Sequence, residues 1–136
     1  LTPCAGGRAV LVTLPGTSRL ELTEWHPVLC AASGRFRFPL LLGGETRLRA
    51  CAHVYNLVLE RCHVPLINGV GCVSLGHGIE DDPVARHAYW GGAVLADLAA
   101  LPGWAEGRIV LAHTETAPSA VAQVPPLAQP AGVAVC

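Results

Sequence analysis

Residues 54–79, VYNLVLERCHVPLINGVGCVSLGHGI, constrain this chain more than any other stretch. Two apolar runs, 54–59 and 64–67, are separated by Glu60-Arg61-Cys62-His63, and Asn68-Gly69 leads into a third run, 70–75. Short runs rich in β-branched side chains, with an Asn-Gly pair between two of them, are the pattern of strands joined by a hairpin rather than of a helix. Gly76-His77-Gly78 stops the last run and sets a histidine between two residues of high backbone freedom. His63 and His77 therefore flank one hairpin at strand ends, where a rigid scaffold most often presents chemistry.

The remaining totals narrow the class. The 136 residues are enough for one domain with a real core. Nine arginines, with no lysine, stand against ten acidic residues, so the basic excess expected of a nucleic-acid binder is missing. No apolar run approaches the roughly 20 residues of a membrane-spanning helix. The chain opens Leu1-Thr2-Pro3 without a methionine, the expected sign of a piece of a longer or processed chain, and no signal peptide can be read. The six cysteines, Cys4, Cys30, Cys51, Cys62, Cys72 and Cys136, include no CxxC pair, which argues against a structural zinc site of the usual spacing. They read as mostly free, buried thiols, with disulfides as the open alternative. His53, His63, His77 and His87 form no i, i+4 pair on a helix, and no metal or cofactor is expected.

Taken in order, the chain is mainly β. A run at 8–14, a Pro15-Gly16-Thr17-Ser18 turn and a strictly alternating segment at 19–23 make a first hairpin. Pro27 fixes an extended backbone at His26, Ser33-Gly34 turns into a strand at 35–39, and Gly43-Gly44 precedes another at 46–52. After Ile79 an acidic turn, Glu80-Asp81-Asp82-Pro83, leads to the one convincing helix, 89–101, whose Val94, Leu95, Leu98 and Leu101 share a face. Pro102-Gly103 ends it, and residues 108–111 read as a last short strand. Residues 116–136, rich in Ala and Pro without a period, read as a linker or disordered tail.

The sharpest chemical constellation is Thr23-x-x-His26 together with His63, Asn68 and His77. A histidine held after an extended strand can polarise a neighbouring amide, and a threonine three residues earlier can orient the ring. Such an arrangement favours attack of a thiol or hydroxyl on the adjacent carbonyl, the first step of an N-to-S acyl shift. On residue chemistry alone, a histidine satisfied by backbone groups at a strand end explains the same pattern. Cys62 and His63 do not read as a nucleophile and its base, because neighbours in a strand point to opposite faces.

Several motifs in order tip that balance. TEWHP at 23–27 resembles the TxxH block, and YNLVLERCHVPLINGVGCVSLGHG at 55–78 the late block, of the Hint superfamily, the fold shared by inteins and the Hedgehog autoprocessing domain; RFRFP at 35–39 stands between them in the same order. They are nearest in pattern to the Hint domain found beside von Willebrand A domains, as are HAYWG at 87–91 and LPGW at 101–104. The resemblance covers roughly residues 8–111. It implies a partial Hint-type horseshoe of curved strands at 1–79, with one C-terminal helix and a short strand appended at 80–115. It also implies self-processing through a thioester, with Thr23, His26, His63 and His77 as catalytic residues.

Two departures accompany the resemblance. The Cys or Ser that opens a Hint domain is expected upstream of this chain, with Cys4 falling in the strand before the TxxH block, away from His26. The Asn that inteins cyclise is missing near His77-Gly78, which argues against splicing and leaves cleavage or acyl transfer. The expected partners are flanking segments of the same precursor and a von Willebrand A domain in the same protein. The competing reading is a degenerate, non-catalytic Hint module.

Overall fold

A computed structural model describes residues 1–17 and 20–111; the expected linker at 116–136 lies outside them. Among the described residues, nine short strands are followed by one helical segment. The strands are β1 (Thr2–Pro3), β2 (Arg8–Thr13), β3 (Glu21–Leu22), β4 (Val28–Cys30), β5 (Arg35–Arg37), β6 (Glu45–Ala50), β7 (His53–Val54), β8 (Leu66–Ile67) and β9 (Val70–Cys72). They form three antiparallel sheets in the orders β1-β7, β3-β2-β6 and β5-β4-β9-β8. None of these closes into a barrel, and the architecture is the mainly β one expected, with a single helix after the strands.

The longest ladder, β2 on β6, runs from Arg8↔Ala50 to Thr13↔Glu45. Its close entry depends on Gly44, where an added Cβ would lie 2.5 Å from the Thr13 carbonyl oxygen. Val12 from β2, Val28 from β4 and Cys72 from β9 meet with Leu14 and Leu20 in one core, so the two larger sheets share their buried face. Leu22, Leu42, Ile67 and Val70 pack around that cluster.

The central stretch is more irregular than its composition suggests. Asn68 (φ 49°) and Gly69 (φ 83°) make the expected tight turn between β8 and β9. The hairpin extends past its two-residue ladder through Cys72 N–H to Pro65 O and Ser74 N–H to His63 O, at 3.0 and 2.8 Å. Pro65 has no N–H to return, so pairing there is one-sided. The run 54–59 contributes only Val54 to a sheet and a parallel bridge from Val58 to Leu75, leaving Tyr55 74% exposed. Its partner β1 is two residues long and includes Pro3, which again lacks a donor.

The helical segment opens with a π-turn, Tyr89–Ala93, and continues as α1 (Val94–Ala99). Val94 is buried and Leu95 and Leu98 are half-buried, as the periodicity requires, whereas Leu101 lies past the end of α1 and is exposed. Residues 108–111 run beside the start of the chain, with the Leu111 N–H bonded to Leu1 O at 2.9 Å and the Leu1 nitrogen to Ile109 O at 2.8 Å.

Val12 is 0% exposed at the junction of the two larger sheets. Val12→Ala should therefore cost about 2 kcal/mol or more in urea unfolding, the transfer of two methyl groups plus a residual cavity. Leu101→Ala should cost less than about 0.5 kcal/mol. Equal costs would contradict this placement of the core.

Candidate functional site

The TxxH segment is a tight turn between β3 and β4, closed by the His26 N–H on the Thr23 carbonyl at 3.2 Å. Thr23 closes the turn through its main chain. The segment at 38–40 braces the turn. Leu40 N–H donates to Glu24 O at 3.2 Å, and Trp25 meets Phe38 edge to face with centroids 5.3 Å apart.

Immediately after this turn the chain pairs with the central hairpin. Val28 stands opposite Cys72 and Leu29 opposite Gly71, and the Val73 N–H extends the ladder to Pro27 O at 3.1 Å. Gly71 suits this crossing, because a Cβ there would come within 3.1 Å of both Leu29 Cβ and Val64 Cγ1. The His26 imidazole consequently lies against the Val73 backbone. Burial pushes its pKa below the ordinary 6.5, and the hydrogen-bonding contact with Val73 offsets this only in part. The ring is neutral at physiological pH. Its Nε2 is buried and has no hydrogen-bond partner, the one such side-chain atom among the described residues. Leaving a buried polar atom unpaired costs about 1–3 kcal/mol, and a fold tolerates it most readily where a ligand or reacting group completes the pairing.

One residue beyond Val73, Ser74 is 3% exposed, and its Oγ lies 3.4 Å from His63 Nδ1. A serine inside a strand carries no signal of its own, and the motifs at 23–27 and 55–78 did not single out Ser74. Counting outward from the Asn68-Gly69 turn does place Ser74 opposite His63, so the pairing was readable from the hairpin register.

His77 is 8% exposed and held rather than loose. Gly76 and Gly78, at φ 71° and 64°, donate to Trp90 O and Gly91 O at 2.8 and 2.9 Å. In the π-turn the Val94 N–H bonds Tyr89 O and Gly92 O, which leaves the Trp90 and Gly91 carbonyls to the glycines flanking His77. The ring of His77 packs on Gly91 and accepts the Ile79 N–H at Nδ1, 2.9 Å away. Burial lowers its pKa first, and the neighbouring His63 and His87 lower it further. The Nδ1 of His87 accepts from Tyr89 and Trp90 N–H at 3.2 and 3.1 Å.

The strands thus bring the TxxH turn, His63 and Ser74 together along β4 and the hairpin, and set His77 three residues beyond Ser74 against the helical segment. The described cysteines lie apart from this line, within it as buried thiols, or, for Cys62, exposed beside His63. Cys4 sits just past β1 at the entry to a tight turn, Ala5–Gly7. Cys30 and Cys72 are buried in β4 and β9, with burial raising the Cys72 thiol, and Cys62 is exposed with a left-handed backbone (φ 59°). No group of three or more His, Cys, Asp or Glu able to hold a metal occurs among the described residues.

The depressed pKa values of His26 and His77 fix the sign of a pH effect. Both rings take up a proton less readily in the fold than at the ordinary 6.5 of the unfolded chain. Their stabilisation is complete above that value and is lost as pH falls below it towards the lowered folded pKa. The thermal midpoint should fall between pH 7.5 and pH 5, and His26→Gln should flatten the slope. A midpoint that rises on acidification would contradict the buried neutral histidines.

A comparison with curated proteins found no match. A protein-family model described as Vint, Hint-domain, matches residues 2–124, nine-tenths of the chain, across the TxxH turn, the hairpin and the helical segment. Among the described residues, no helix is long and apolar enough to cross a membrane. The chain belongs to the Hint-domain family, whose general character is that of self-processing, intein-like domains.

Proposed function

We propose that this domain is the histidine-bearing part of a self-processing unit that cleaves its precursor, or transfers its acyl group, through an N-to-S shift. The observation that carries this reading is the buried, partnerless Nε2 of His26 in a ring that rests neutral. A neutral imidazole takes the proton of an attacking thiol. Burial makes the resulting imidazolium acidic, so it passes the proton readily to the amide nitrogen as the carbon–nitrogen bond breaks. One thioester forms, one amine is released, and the histidine is regenerated. Thr23 would hold the turn that aims His26. His63, with Ser74 beside its Nδ1, and His77 would assist transfer of the acyl group to water or a second thiol.

The chemistry draws on side chains alone, with flanking segments of the same precursor as substrate and a von Willebrand A domain as the neighbour in the same protein. The attacking Cys or Ser would be supplied from upstream, because the Cys4 thiol is raised by burial and by Cys51, and Cys72 is a buried thiol of raised pKa. Cleavage is favoured over splicing. The only two asparagines are Asn68, used in the hairpin turn, and Asn56, whose amide donates to Thr2 Oγ1 at 3.3 Å. Neither adjoins His77.

Mass spectrometry over several days tests the reading. The 136-residue chain should stay intact with or without dithiothreitol, and the chain extended to its upstream Cys or Ser should cleave there, faster with thiol. His26→Ala should slow that cleavage at least about 100-fold, the usual lower range of acid–base contributions. Cleavage of the short chain at Cys4 would overturn the placement of the nucleophile. An inert extended chain would favour a non-catalytic Hint module that binds or spaces its neighbours.

A further inference from the structure

Away from the histidines, the chain brings two thiols together. β1 pairs with β7 through Pro3↔His53, and β2 pairs with β6 up to Arg8↔Ala50, so Cys4 and Cys51 fall in the gap between two ladders. The turn Ala5–Gly7, with Gly6 and Gly7 at positive φ, inserts extra residues opposite Cys51 and breaks the regular alternation of faces. Backbone bonds clamp both cysteines across the gap. Cys4 N–H reaches Ala52 O at 3.0 Å, Cys51 N–H reaches Gly7 O at 2.9 Å, and Gly7 N–H returns to Cys4 O at 3.0 Å. The backbone thus sets Cys4 and Cys51 across from each other, close enough for Cys51 to act on the Cys4 thiol, and the Cys51 thiol donates to His53 O at 3.2 Å. Both are half-buried, open to a small reagent but held in place.

We propose that Cys4 and Cys51 form a reversible disulfide, a redox-sensitive clip that ties the N-terminal segment to the β6–β7 connection. The oxidant is a low-molecular-weight disulfide such as oxidised glutathione. One cysteine thiolate attacks it and releases one glutathione thiol. The other cysteine thiolate then attacks the protein sulfur of the mixed disulfide and releases the second. Two protein thiols are oxidised, one glutathione disulfide is reduced, and the two protons leave on the glutathione thiols or to solvent. Burial, followed by the neighbouring Cys51, raises the Cys4 thiol, so the reaction quickens as pH rises. The clip closes a long loop that contains β2 to β6, the TxxH turn included, and thereby restrains the unfolded chain.

The test exposes the folded 136-residue chain to oxidised glutathione, blocks remaining thiols with an alkylating agent, and maps the peptides by mass spectrometry. The expected result is a Cys4–Cys51 linked peptide about 2 Da lighter than its two thiol halves, reversed by dithiothreitol. The thermal midpoint of the oxidised chain should stand about 5 °C or more above the reduced one. Cys51→Ser should abolish both changes. If that variant does not fold, the peptide map of the unaltered chain decides alone. Alkylation of both Cys4 and Cys51 under conditions that modify the exposed Cys62, or a different cross-link, would overturn the proposal.

Discussion

The pairing of β4 with β9 is the contact on which the rest of this molecule depends. Four residues in register, Val28 on Cys72 and Leu29 on Gly71, carry the chain from the TxxH turn onto the hairpin, and Val73 N–H to Pro27 O lengthens the join. Val28 and Cys72 are also core residues, so one ladder closes the common hydrophobic cluster and sets the position of His26. A slip of one residue would turn every side chain of the hairpin to the other face. It would expose Cys72 and remove Val73 from beside the imidazole. Packing and chemistry are therefore fixed by the same register.

That coupling explains how the fold accommodates its least comfortable atom. A buried Nε2 without a partner opposes folding by about 1–3 kcal/mol, comparable to the burial of one large aliphatic side chain. The surrounding turn is over-determined by the His26–Thr23 bond, the Leu40–Glu24 bond and the Trp25–Phe38 contact. The ring cannot easily swing out to water without undoing them. Under the proposed function, a histidine held in such a brace with its Nε2 unpartnered would meet a reacting amide at little further cost in orientation.

Much of this was readable in the sequence, and the parts that were not have identifiable causes. The Asn68-Gly69 hairpin, the alternating strands and the α1 face follow from periodicity and turn chemistry, which act locally. The motifs in order carried the family. The run 54–59 reads as a strand because its residues are apolar, yet strand formation requires a partner, and β1 supplies only Thr2 and Pro3. The glycines around His77 read as freedom, whereas the carbonyls of the π-turn pin them, a non-local contact that no window of sequence contains. Ser74 was available from the hairpin register, and the contact between Cys4 and Cys51 was not, because it rests on a bulge between two ladders.

The central claim is that the β4–β9 register encloses a neutral His26 beside Val73. Site-resolved NMR titration of the imidazole nitrogens tests it most directly. The account predicts that the His26 ring stays neutral to clearly below 6.5, with through-space contacts to Val73 throughout. A His26 that titrates at or above 6.5 without contact to Val73 would place the ring in solvent and contradict the account.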